Sequence, residues 1–167
     1  MLIQKTSFTE NFTIKMGHLF TSIKDFYTAD GWPFEETQSP YPYLSMAFEG
    51  MNATMDCIAQ VLEDRQQFVF YTICPFLVPQ DKFSIVAEFL TRANYGIVIG
   101  NFEMNYDNGE IRYKTSIDVT DTALSHTLIR QVTYTNLVTM DKMVPILYSL
   151  TEGKSTPLQA MEEVRLT

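Results

Sequence analysis

Cations are scarce in this chain. Twelve lysines and arginines stand against twenty aspartates and glutamates in 167 residues, leaving a formal charge of −8 at pH 7. The basic residues occur singly, so no cationic stripe exists to neutralise a row of phosphates. Nucleic acid and anionic membrane are thereby disfavoured, and a basic or polar protein partner fits the balance better. Long apolar runs are missing too. Nothing approaches the eighteen or so apolar residues of a spanning helix, and the first fifteen residues lack the apolar core of an export signal. The expected location is cytoplasmic.

Chemistry-bearing residues are equally sparse. The two cysteines, Cys57 and Cys74, sit in apolar, strand-like stretches and read as buried free thiols. The two histidines, His18 and His126, have no second histidine or cysteine at ligand spacing, so no zinc site is expected. Gly96-x-x-x-Gly100 is followed by no Gly-Lys-Ser/Thr and is not a phosphate loop. Asp107-Asn108-Gly109-Glu110 lacks the spacing of a calcium loop. The acidic pairs Glu35-Glu36, Glu63-Asp64, Asp118-Asp121 and Glu162-Glu163 mostly flank turns, where solvated charge is the ordinary filling. Neither a metal nor another cofactor is expected, and no catalytic set is visible.

What is present is a well-patterned globular chain. Apolar residues make up 46 % of it, enough to bury a core over one domain spanning residues 1–167, with 1–10 as a loose start. From Asn11, residues Phe12, Met16, Leu19, Phe20, Ile23, Phe26 and Tyr27 recur at helical spacing up to Gly31. A proline-rich crossover follows from Trp32 to Pro42. Tyr43–Gly50 and Ala53–Leu62 alternate as half-buried strands, and Gln67–Cys74 reads as a central strand covered on both faces. Pro79 is placed just inside a second helix carrying Phe83, Val86, Ala87, Leu90 and Ala93, with Gly96 as a left-handed cap. A third helix starts near Asp121 or Thr122, with a kink or break expected between Met140 and Val144 because Pro145 lacks a donor. Thr156-Pro157-Leu158-Gln159 is a capping box that opens a short last helix to Arg165.

The stretch from Val86 to Val119 is the most tightly specified. Asn108-Gly109 between alternating apolar residues signals a hairpin, since a two-residue turn needs positive φ at both positions. That turn would set Tyr106 against Ile111, Met104 against Tyr113 and Phe102 against Thr115. On the other face Asn105 would meet Arg112, and Glu103 would meet Lys114. The like charges Asp107 and Glu110 would then oppose each other, which a three-residue loop with a bulge would relieve.

This order of elements resembles the YbjN-domain family of bacterial sensory transduction regulators. The likeness is carried by Val86-Ala87-Glu88-Phe89-Leu90-Thr91-Arg92-Ala93-Asn94-Tyr95, Ile99-Gly100-Asn101-Phe102-Glu103-Met104 and Asp107-Asn108-Gly109-Glu110-Ile111-Arg112-Tyr113. Met140-Asp141 with Pro145, and Ser155-Thr156-Pro157 with Ala160, extend it over residues 30–165 in outline. The family is similar in fold to type III secretion chaperones. The resemblance implies an α+β fold of the type α-βββ-α-ββ-α, with a mostly antiparallel sheet and helices over one face. It also implies a non-catalytic role and a homodimer, and it transfers no catalytic residues.

Arg92, Asn94, Asn101, Glu103, Arg112 and Lys114 lie beside the apolar positions of this region. They read either as a solvated face holding ion pairs or as a protein-binding surface. Met51, Met140 and Met143, with Tyr41, Tyr43 and Phe76, are candidates for an exposed patch. The leading expectation is an adaptor or chaperone-like regulator that binds an unidentified protein. The alternative is a small-ligand sensor or enzyme using an apolar pocket between sheet and helices.

Overall fold

A computed structural model describes residues 18–166. The elements run α1 (His18–Ala29), β1 (Glu35–Thr37), β2 (Tyr43–Glu49), β3 (Thr54–Leu62), β4 (Gln67–Ile73), α2 (Phe83–Gly96), β5 (Asn101–Met104), β6 (Ile111–Asp118), α3 (His126–Thr151) and α4 (Pro157–Leu166). The strands form one antiparallel sheet in the order β1-β2-β3-β4-β6-β5, with helices packed over one face. This is the expected α+β architecture with an additional edge strand. The part of the first helix placed at residues 11–17 lies outside the described residues.

Strand alternation decides which side chains face the helices. Leu44 and Met46, then Met55, Cys57, Ala59 and Val61, then Phe68, Phe70 and Thr72, and finally Ile111, Tyr113 and Thr115 all point inward and are buried. The helices divide this layer into two apolar clusters. One gathers α1 and the first half of α3 over β2, β3 and β4; the other gathers α2, α4 and the second half of α3 over β5 and β6. The 26-residue α3, about 39 Å long, is shared by both.

Buried polar groups fix α3 on the sheet. The Asn136 side-chain amide donates to the carbonyls of Phe70 and Tyr113 at 2.9 and 3.0 Å and to Thr115 Oγ1 at 3.0 Å. Thr115 Oγ1 in turn donates to the Val132 carbonyl at 2.8 Å, and Tyr27 and Thr133 share a 2.6 Å hydroxyl contact. Each of these bonds is directional, so α3 has one register against β4 and β6.

Several local expectations are corrected. The crossover contains β1, whose residues pair Glu35 with Ser45 and Thr37 with Tyr43. Its charged residues and flanking prolines hide a strand signal only three residues long. β4 is covered by helices on one face only, because Gln67, Val69, Tyr71 and Ile73 point away from them. Pro79 precedes a 3-10 turn at Gln80–Lys82, and α2 begins at Phe83. Gly96 ends α2 without positive φ. The third helix starts later than expected: Ser125 caps it by accepting from the Leu128 N–H, while Asp121 sits at φ 61° outside it.

The hairpin register is also shifted by two residues. Phe102 opposes Tyr113, Glu103 opposes Arg112, and Met104 opposes Ile111. The loop spans four residues, 106–109, closed by the Asn105 N–H on the Glu110 carbonyl at 2.8 Å. A two-residue shift keeps every side chain on its expected face, whereas a one-residue slip would have inverted them. Only Gly109 takes positive φ, and a Cβ there would meet the Val78 carbonyl at 2.3 Å. Tyr106 leaves the strand and packs edge-on against Phe83 at 5.4 Å.

The helix does not break at Pro145. Proline removes the donor that would have satisfied the Asp141 carbonyl. The Asn52 side-chain amide replaces it, donating to that carbonyl at 3.0 Å. The Asp141 carboxylate also accepts the backbone N–H groups of Met51 and Asn52 at 3.1 and 2.9 Å. Gly50 is dictated by this contact, since a Cβ would lie 2.2 Å from Asp141 Oδ1. Asn52→Ala should therefore cost about 1–3 kcal/mol of stability by orphaning a half-buried acceptor. Urea unfolding of Asn52→Ala, Pro145→Ala and the double variant checks this. The cost should shrink in the Pro145→Ala background, where residue 145 regains its own N–H.

Candidate functional site

The helices occupy one sheet face, and no described element covers the other. Its residues fall into cross-strand rows. One row runs Ile73, Arg112, Glu103, with the pair Ala47 and Asp56 sharing a cleft with Ile73; the next runs Glu35, Ser45, Ile58, Tyr71, Lys114, Asn101. An apolar centre on β3 and β4 is thus flanked by charge at both ends.

At the β6 end, Glu103 binds two cations. Its carboxylate accepts Arg112 at 2.7 Å and also pairs with Lys114. The Arg112 guanidinium lies 4.3 Å from the Tyr71 ring centre, a cation–π contact that fixes its plane over the sheet. Burial alone pushes the Glu103 carboxyl up, but the hydrogen bonds and charges of Lys114 and Arg112 outweigh it and hold it below its ordinary value.

At the other end lies an apolar cleft of about 580 Å³, lined by Pro33, Phe34, Tyr43, Ala47, Ile58 and Ile73 with Glu35 and Asp56. A second cavity of about 650 Å³ lies between the β2–β3 turn and α3, bordered by Phe48, Met51, Val138 and Pro145. The second opens at the rim between β2 and α3, while deeper between sheet and helices the space is filled by side chains of the two clusters.

The six residues singled out from the sequence do not form one surface. Glu103, Arg112 and Lys114 come together, with Asn101 next to Lys114 in the ladder. Asn94 does something else. Its amide accepts the Phe102 N–H at 2.8 Å and donates to the Phe102 carbonyl at 3.0 Å, occupying the outward groups of the edge strand. Arg92 pairs with Glu88 one turn back on α2 at 2.8 Å. Among the methionines, Met51 is almost fully exposed while Met140 and Met143 are core. Of the cleft residues, Glu35 was weighed only as solvated charge beside Glu36, and Asp56, Ile58 and Ile73 escaped sequence reasoning, although their outward strand positions could have flagged them.

The two thiols are poorly placed for nucleophilic chemistry. Burial pushes the Cys57 thiol up to about 12 and the Cys74 thiol up to about 11. Both are buried and unpaired by disulfide, as expected. Among the described residues no cluster of histidine, cysteine or carboxylate is arranged to hold a metal ion. No described helix is long and apolar enough to cross a membrane.

A family model described as "Putative bacterial sensory transduction regulator", YbjN, matches residues 20–145. The chain belongs to the YbjN family. The fold agrees: the crystal structure of YbjN from E. coli, titled a putative transcription regulator, superposes with a TM-score of 0.60. That match is 12 % identical and covers 80 % of this chain and 93 % of the other. No curated protein matches the chain. The matched residues include all six strands, and with them the Glu103 group and the whole of the cleft.

The Glu103 cluster makes a testable contribution to stability. A carboxyl held below its ordinary value of 4.5 adds stability above that pH and loses it as pH falls through the lowered value. Glu103→Gln should cost about 0.5–1 kcal/mol at pH 7. Thermal unfolding at stepped pH checks the sign: the gap between wild type and variant should narrow progressively as pH falls below 4.5.

Proposed function

We propose that this YbjN-family chain is a non-catalytic, protein-binding regulator whose recognition surface is the open face of its sheet. The observation that carries the reading is the pre-set charged group on that face. Glu103 and the Tyr71 ring hold Arg112 and Lys114 at fixed positions beside an apolar centre, so their ordering cost is met before any partner arrives. The family description of a regulator supports it, as does the inert setting of both thiols.

Self-association belongs to the same proposal. Tyr95, Val98 and Ile99 project together at the α2–β5 corner, with Tyr95 and Val98 each 95 % exposed. A homodimer joined at that corner leaves the open face of each copy free.

Arg112→Ala combined with Lys114→Ala tests the recognition surface. Both side chains are half-exposed and outside the core, so the variant should fold with stability within about 1 kcal/mol of wild type. Quantitative pull-down from native lysate should show a reproducible partner on the wild type and a several-fold loss on the variant. Equal capture by both would remove this face from consideration.

A further inference from the structure

The cleft at the β1–β4 end has a character of its own, distinct from the Glu103 group. Its floor and wall are apolar: Ala47, Ile58 and Ile73 from the sheet, Pro33 and Phe34 from the segment entering β1. Two carboxylates, Glu35 and Asp56, stand in this lining. Both are exposed, and among the described residues neither takes an ion pair or hydrogen bond. The neighbouring cation Lys24 pairs with Glu36 instead. No lysine or arginine lines the cleft.

An exposed carboxylate with no partner is ordinary; two of them, set in an apolar concavity that no described lysine or arginine lines, have a directed meaning. A partner seated on the apolar floor would shut water away from them and so strengthen the charge contacts it makes there. The missing complement is positive charge carried on an apolar body. A second copy of a chain with formal charge −8 fits that poorly. A protein segment with lysine or arginine flanked by large apolar residues fits both halves, its aliphatic stems and apolar neighbours on the floor and its cations at the carboxylates.

We infer that the cleft between β1 and β4 docks a basic, apolar-flanked segment of a partner protein, with Glu35 and Asp56 as its charge contacts. The inference rests on the protein-binding reading and names the partner chemistry for one end of the same face.

The probe is a short fluorescent synthetic peptide of leucines and lysines, followed by anisotropy at physiological salt. Glu35→Gln with Asp56→Asn should weaken its binding about tenfold, two partly shielded charge contacts together. Both changes are near-isosteric at exposed positions, and an unchanged melting temperature certifies the fold. Glu162→Gln with Glu163→Gln on α4 removes the same charge elsewhere and should change nothing. Equal weakening by both pairs would reduce the effect to bulk charge and overturn the inference. So would equal binding of a peptide with serine in place of leucine. A light-scattering dimer that excludes the peptide and dissociates on Ile58→Lys would put a second copy in the cleft, which also overturns it. In any of those cases, partner capture that still depends on Arg112 and Lys114 would leave the broader protein-binding reading standing.

Discussion

A proline stands inside the longest helix of this protein, and a side chain from a distant hairpin makes that tolerable. Asn52, at the β2–β3 turn, supplies the hydrogen bond that Pro145 cannot give to the Asp141 carbonyl. Asp141 answers by binding the backbone of the same turn. The contact lies where α3 passes from one apolar cluster to the other, Leu137 belonging to the first and Met140 to the second. Without it the helix that both clusters share would carry a half-buried orphan acceptor near its midpoint. With it, one rigid helix lies over β4 and β6, and Asn136 and Thr115 set its position.

A sheet held this way has two unlike faces. Strand alternation sends the large apolar residues to the helical side and a mixed set to the other. The outer set is not merely polar filling: it places fixed cations at one end, carboxylates with no partner among the described residues at the other, and Ile58, Tyr71 and Ile73 between them. The sheet edges are handled separately. Asn94 occupies the outward groups of Phe102 on β5, and β1 is short with prolines nearby. Main-chain pairing at the β5 edge is thus blunted, and recognition falls to the open face.

Much of this was readable in the sequence, for identifiable reasons. Strands β2 and β3 announce themselves by period-two alternation, β4 by its apolar run, and Thr156 with Gln159 forms the expected reciprocal cap, Thr156 N–H to Gln159 Oε1 at 2.9 Å. The Glu103–Lys114 pair survived a wrong turn length because the error was an even number of residues. Three things were hidden. β1 is too short and too charged for a pattern. The rescue of Pro145 comes from a residue 93 positions away, which no local rule can supply. The cleft joins Glu35 to Asp56 across three strands, a proximity created only by topology.

The central claim is that helices cover one face of this sheet and the other stays open for a partner. Hydroxyl-radical footprinting of the purified protein, resolved by residue, tests it most directly. The account predicts that Tyr43, Tyr71 and Ile73 are oxidised readily while Phe68 and Phe70, one residue away on β4, are protected until the chain unfolds. Protection of Tyr71 and Ile73 to the level of Phe70 would contradict it, because the open face would then be covered by the protein itself.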